Sequence, residues 1–235
     1  MKQGLCLLTL IICAMVVSGC LSPPSPSARG FGDDNFSILT ENMEYQIGST
    51  QEKIIVPQGF VTDYASIPWP LGVFGLSPRG TYSRAAILHD FLYWSQVCTR
   101  AQSDRLMVLA MKESKVSGIT AFLVYHGVNL FGQSSWDQNE RERKAGLLRV
   151  IPRECLVPRD PNMDWPSYRK LLVWIQKKDP AFRQNPSFCV YGDTTEVPMD
   201  AASTGKQSVS RHEPQFYPYN PNQDCSIYKY RSGAY

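Results

Sequence analysis

The stretch Ser83-Arg84-Ala85-Ala86-Ile87-Leu88-His89-Asp90-Phe91-Leu92-Tyr93-Trp94 decides the fold. From Ala85 to Trp94, eight of ten residues are apolar or aromatic. A helix that is apolar on every side is a buried helix, so this segment is expected at the centre of the domain. His89 and Asp90 sit in its middle, and a buried ionisable group needs a partner or a metal. The next segment supplies one. Thr99 and Gln102 carry the pattern of a capping box, opening a second helix that runs to about Ser114. Asp104 lies on that helix's stripe with Met107, Val108 and Met111. If the first helix ends at Trp94 and the second begins at Thr99, the residue opposite His89 is Asp104. If the first runs on to Cys98, Asp104 misses by about one turn, roughly 5–6 Å. Tyr93, one turn beyond His89, can also reach Asp104.

Upstream, the pattern is β-like. Phe36–Leu39, Tyr45–Ile47, Lys53–Val56 and Phe60–Thr62 alternate with turn residues such as Pro57-Gln58-Gly59, which predicts a small antiparallel sheet of three or four strands. Downstream, helices are predicted over Ile119–Leu130, Asp137–Leu148 and Ser167–Lys177, with loops from Asp179 onward. The fold class is therefore α+β: a small antiparallel N-terminal sheet packed on a bundle of about four to five helices, with a loop-rich C-terminal extension. The core domain is expected over residues 36–158 and the extension over 159–235.

The first twenty residues speak to location. Lys2 is followed by an apolar run from Leu5 to Val16, ending in Val17-Ser18-Gly19-Cys20. The run is too short to span a bilayer and reads as an export signal. Its end resembles the bacterial lipobox, which implies cleavage after Gly19 and a diacylglycerol, with palmitate, on Cys20. Leu21 rather than Asp after the cysteine implies, by the same resemblance, the outer membrane facing the periplasm. Residues 1–19 are then signal peptide and 20–35 a Pro/Ser-rich tether. Of seven cysteines, Cys6 and Cys13 leave with the signal and Cys20 is lipidated. Cys98, Cys155, Cys189 and Cys225 remain, an even set in an oxidising compartment. Three pairings are open, and Cys98–Cys155 with Cys189–Cys225 is favoured, stapling core and tail separately.

Three further motifs, Val56-Pro57-x-Gly59-Phe60-x-Thr62-Asp63-x-Ala65-Ser66-Ile67-Pro68, Ala85-Ala86-x-x-His89-Asp90-x-Leu92-Tyr93 and Arg100-x-x-x-Asp104, resemble in their order one family of unknown function, common in tailed phages, prophages and bacterial genomes. That resemblance implies no activity. A looser one is to the active-site helix of secreted and parvoviral phospholipases A2, which share the H-D-x-x-Y pattern. It implies His89 as general base, Asp104 as the carboxylate that orients it, Tyr93 as support for Asp104, and Asp90 as a Ca²⁺ ligand, with Asp63 nearby in the place of the calcium loop. The glycine-rich calcium loop itself is absent.

Other chemistries find little support. Net charge is +3 and no basic run occurs, which argues against a nucleic-acid partner. There is no C-x-x-C and no H-x-x-x-H for zinc, and no G-x-S-x-G nucleophile elbow. His126 reads as a packed histidine, and His212 lies in the polar tail. Two functions follow. One is a hydrolase anchored to the envelope by lipid, with a His–Asp dyad and a candidate Ca²⁺ acting on envelope lipid or cell-wall material. The other is a non-catalytic envelope lipoprotein that binds an envelope or phage protein or excludes superinfecting phage, its His89 and Asp90 pairing with Asp63, Ser66, Asp104 or Arg100 to lock the sheet to the helices.

Overall fold

The first helix, α1 (Ser83–Ser95), buries every residue except Arg84. The computed structural model describes residues 26–64, 82–158 and 160–198, and α1 is the axis around which they pack. It ends where Gln96 turns left-handed (φ 50°) and its N–H returns to the Leu92 carbonyl, a common helix stop. After this short turn, α2 (Arg100–Glu113) opens on the expected capping box. The Gln102 N–H donates to Thr99 Oγ1 at 3.2 Å, and the Thr99 N–H donates to Gln102 Oε1 at 3.0 Å. The early end of α1 is the geometry in which Asp104 falls opposite His89.

α3 (Gly118–Lys144) is one helix of 27 residues, where the sequence predicts two, Ile119–Leu130 and Asp137–Leu148. Gly132, Ser134 and Ser135 are weak helix formers, which is why the pattern reads as broken. Tertiary contacts carry the helix through. Trp136 packs edge-on against Tyr93 at 5.2 Å, and its carbonyl accepts from Gln96 Nε2 at 2.9 Å. α4 (Trp165–Trp174) starts two residues earlier than expected. Asp164 caps the Ser167 N–H at 2.7 Å, and Pro166 occupies the first turn.

The strands form two small antiparallel sheets. β2 (Ser37–Leu39) lies between β1 (Ala28–Gly30) and β5 (Val61–Thr62), while β3 (Met43–Gln46) pairs with β4 (Lys53–Val56) as a hairpin. β3 alternates buried and exposed residues, as a half-buried strand does. β1 falls within the stretch expected to be tether. Gly59 makes the corner before β5. Its φ is +85°, and a Cβ there would stand 2.1 Å from the Ile151 carbonyl oxygen.

Residues beyond 159 join both apolar clusters. Phe188 and Cys189 are buried with α1, α2 and the β3–β4 hairpin, and Trp165, Tyr168 and Leu172 are buried with Phe31, Ile38 and Val61. The disulfides differ from the favoured pairing. Cys98 bonds Cys189, with Cα atoms 5.4 Å apart, so the bridge ties the α1–α2 turn to the short 3-10 helix Ser187–Asp193. Cys155 is disulfide-bonded as well, and Cys225 lies outside the described residues. Spacing along the chain could not show that the extension folds back across α2, where Arg105 donates to the Gly192 carbonyl at 2.8 Å.

Asp179 fastens the segment after α3 to α1. Its carboxylate accepts from Trp94 Nε1 at 2.5 Å and from the backbone N–H groups of Arg149 and Val150 at 2.8 and 2.7 Å. Burial pushes this carboxyl up to about 6, against the pull of those donors and Arg169. The folded protein therefore holds the proton more tightly than the unfolded chain. The associated stability is present below about pH 4 and is lost as pH rises through 6, by about 2–3 kcal/mol. Urea unfolding of wild type and Asp179→Asn checks this: the difference between them should move by that amount against wild type from pH 4 to pH 7. A constant difference would contradict it.

Candidate functional site

Asp104 is the buried hub. Only 1% of it is exposed, and three donors converge on its carboxylate. His89 Nε2 lies 2.9 Å from Oδ1, the Tyr93 hydroxyl donates to the same oxygen at 2.6 Å, and Arg100 Nη1 donates to Oδ2 at 3.1 Å. His89 and Tyr93 come from successive turns of α1. Arg100 and Asp104 are an i, i+4 pair on α2, with the spacing that puts two side chains on one helix face. The capping box sets the register of α2, and the all-round burial of α1 sets its depth. His89 and Tyr93 also stack, with centroids 4.0 Å apart. Burial, then the Asp104 charge, holds the Tyr93 hydroxyl well above its ordinary range, so it stays a donor.

His89, Asp90, Tyr93 and Asp63 line a cavity of about 430 Å³. His89 Nδ1 makes no hydrogen bond among the described residues. A carboxylate acceptor at Nε2 places the ring proton on that nitrogen and the lone pair on Nδ1. The far wall is the inner face of α3, where Val128, Phe131 and Gly132 line the cavity, together with Arg149, Trp165 and Arg169.

Asp90 and Asp63, to which the phospholipase likeness gives a calcium role, both have protein partners. Asp90 accepts from the Thr62 hydroxyl at 2.5 Å, and Asp63 faces Arg149 Nη2 at 3.4 Å. Among the described residues, no three groups of metal-ligating type come together, whereas Ca²⁺ takes about 6–8 oxygens. Tyr64, next to Asp63, has φ +60° and donates its N–H to Thr62 Oγ1 at 2.9 Å. A left-handed aromatic residue costs roughly 1–2 kcal/mol, and here it turns the chain directly after the two residues that meet Asp90 and Arg149. Ser66 and Cys20 lie outside the described residues. His126 is exposed, its ring against Phe122 at 4.2 Å, not packed as expected, because α3 buries only Ala121, Val124 and Gly127.

Residues 37–128 match the model of a family described as a protein of unknown function, DUF1353. The matched span holds His89, Asp104, Tyr93, Asp90 and Asp63 and stops part-way along α3. Searches of curated proteins and of solved structures return no match.

Sequence reasoning missed Arg149, Lys170 and Gly132. The two cations stand in no motif and reach the cavity only through the tertiary fold. Gly132 carried a signal, a glycine in the middle of a helical pattern. A Cβ at this position would stand 2.4 Å from the Tyr93 hydroxyl oxygen. Gly132→Ala should therefore destabilise the protein by about 1–2 kcal/mol through overpacking, although alanine is the better helix former. Thermal unfolding is the check. A gain of about 1 kcal/mol, as at an unconstrained helical glycine, would contradict the close approach.

Proposed function

We propose that this chain is a hydrolase of the bacterial envelope, anchored by lipid, in which His89 acts as general base on an ester of envelope lipid or cell-wall material. One observation carries the reading: the two nitrogens of a single imidazole have separate tasks. Nε2 is bound to the buried Asp104 carboxylate, and Nδ1 makes no hydrogen bond among the described residues, on a ring that lines the cavity. A histidine held this way can take a proton from water at Nδ1 as the water oxygen adds to an acyl carbonyl. Asp104 stabilises the imidazolium that forms. The proton then passes to the leaving oxygen as the C–O bond breaks, which returns His89 to its neutral form. Tyr93 and Arg100 keep Asp104 oriented.

The Val17-Ser18-Gly19-Cys20 motif supports anchoring through a diacylglycerol on Cys20, and Leu21 favours the outer membrane facing the periplasm. The ordered motifs around His89 support a phage or prophage association. No described helix is long and apolar enough to cross a membrane. A second reading draws on burial. His89 is only 4% exposed, and the same network welds α1 to α2, as suits a non-catalytic lipoprotein that binds a phage or envelope protein.

The purified protein should release product from phospholipid vesicles or from peptidoglycan, assayed with Ca²⁺ and with chelator. His89→Gln should lower turnover by about 10²–10⁴-fold at an unchanged unfolding temperature. Equal turnover in the two proteins, or none on either substrate, would overturn the hydrolase reading and leave the second. In the same cells, labelled palmitate should mark the wild type but not Cys20→Ser, and label on the variant would overturn the anchor.

A further inference from the structure

The cavity beside His89 has two kinds of wall. Phe36, Val128, Phe131, Leu147 and Trp165 give it apolar surface, while Arg149, Arg169 and Lys170 stand among them. The three cations are not equally free. Arg169 is largely committed: Nη1 meets Glu142 at 2.6 Å, Nε donates to the Leu148 carbonyl at 2.7 Å, and its guanidinium packs over Trp94 at 5.1 Å and Trp165 at 5.7 Å, which leaves only the buried Nη2 without a hydrogen-bond partner among the described residues. Arg149 is held over Trp94 at 5.9 Å, and its one ion pair is the long contact to Asp63 at 3.4 Å. Its Nε and Nη1 make no hydrogen bond among the described residues. Lys170 is exposed and makes no ion pair among them. With Glu142 paired to Arg169, the cavity keeps Arg149 and Lys170 against Asp63 and Asp90, and Asp90 is hydrogen-bonded by the Thr62 hydroxyl. A held guanidinium with spare donors and an exposed ammonium on the same cavity suit an oxyanion.

Resting on the hydrolase reading, we infer that the cavity takes an acyl amphiphile whose anionic group, phosphate or carboxylate, is held by Arg149 and Lys170 while its hydrocarbon lies on the apolar wall. The connection to the chemistry runs through β5. Arg149 holds Asp63, the neighbouring Thr62 holds Asp90, and Asp90 adjoins His89. The anion is therefore bound within the same cavity that the imidazole lines.

The test is calorimetric titration of the full-length His89→Gln protein with three probes: dihexanoyl phosphatidylglycerol, decanoate and uncharged monodecanoylglycerol. At least one anionic probe should bind tenfold or more tightly than the uncharged one, and more weakly as salt rises. Whichever of the two binds tighter separates a lipid phosphate from a free carboxylate. Arg149→Gln should weaken that binding by about 10- to 100-fold. Lys170→Gln, at an exposed site with no ion pair among the described residues, should weaken it by several-fold and leave the uncharged probe unaffected. Equal affinity for all three probes, or a Lys170→Gln protein that binds the anions as before, would overturn the inference. Selective anion binding together with an inactive wild type would overturn the hydrolase reading alone.

Discussion

A carboxylate with 1% exposure is tolerable only if its charge is answered by donors, since an isolated buried charge costs several kcal/mol or neutralises itself by taking a proton. Asp104 is answered three times, and the donors depend on constraints from three helices. His89 and Tyr93 require α1 to stay helical and buried through two turns. Arg100 requires α2 to begin at its capping box. The Tyr93 hydroxyl requires α3 to approach so closely that residue 132 has no side chain. Arg100 also reaches the Val128 and Asn129 carbonyls of α3 at 3.3 and 3.4 Å. Three helices are thus registered on one carboxylate, and removing any donor would leave part of a buried charge unmatched.

The same arrangement leaves one nitrogen over. The network consumes Nε2 of His89 and both oxygens of Asp104 but has no use for Nδ1. A purely structural lock could have ended on an amide or a hydroxyl. Here it ends on an imidazole that lines a cavity, with strained backbone at Tyr64, next to the lining residue Asp63. Perturbed geometry at the edge of a cavity is where function tends to reside.

Much of this was legible in the chain. The apolar run around His89 announced a buried helix, Thr99 and Gln102 announced the next, and counting across the hairpin found Asp104. What stayed hidden has a common cause. Arg149 and Lys170 lie far along the chain from His89, the Cys98–Cys189 bridge spans 91 residues, and α3 runs through a polar stretch because Trp136 packs on Tyr93. Local pattern encodes helices and caps well. It carries little about which distant segments meet, since that depends on how whole surfaces pack. The contact between Arg149 and Asp63 was hidden for a related reason, since the two stand 86 residues apart in the chain.

The central claim is that Asp104 fixes the His89 tautomer and leaves Nδ1 as the basic nitrogen facing the cavity. Nitrogen-15 NMR of His89 in the wild type at neutral pH tests it most directly. The expected result is a protonated Nε2 coupled to its hydrogen and an unprotonated Nδ1. A ring protonated on Nδ1 at neutral pH, with Nε2 bare against Asp104, would contradict it.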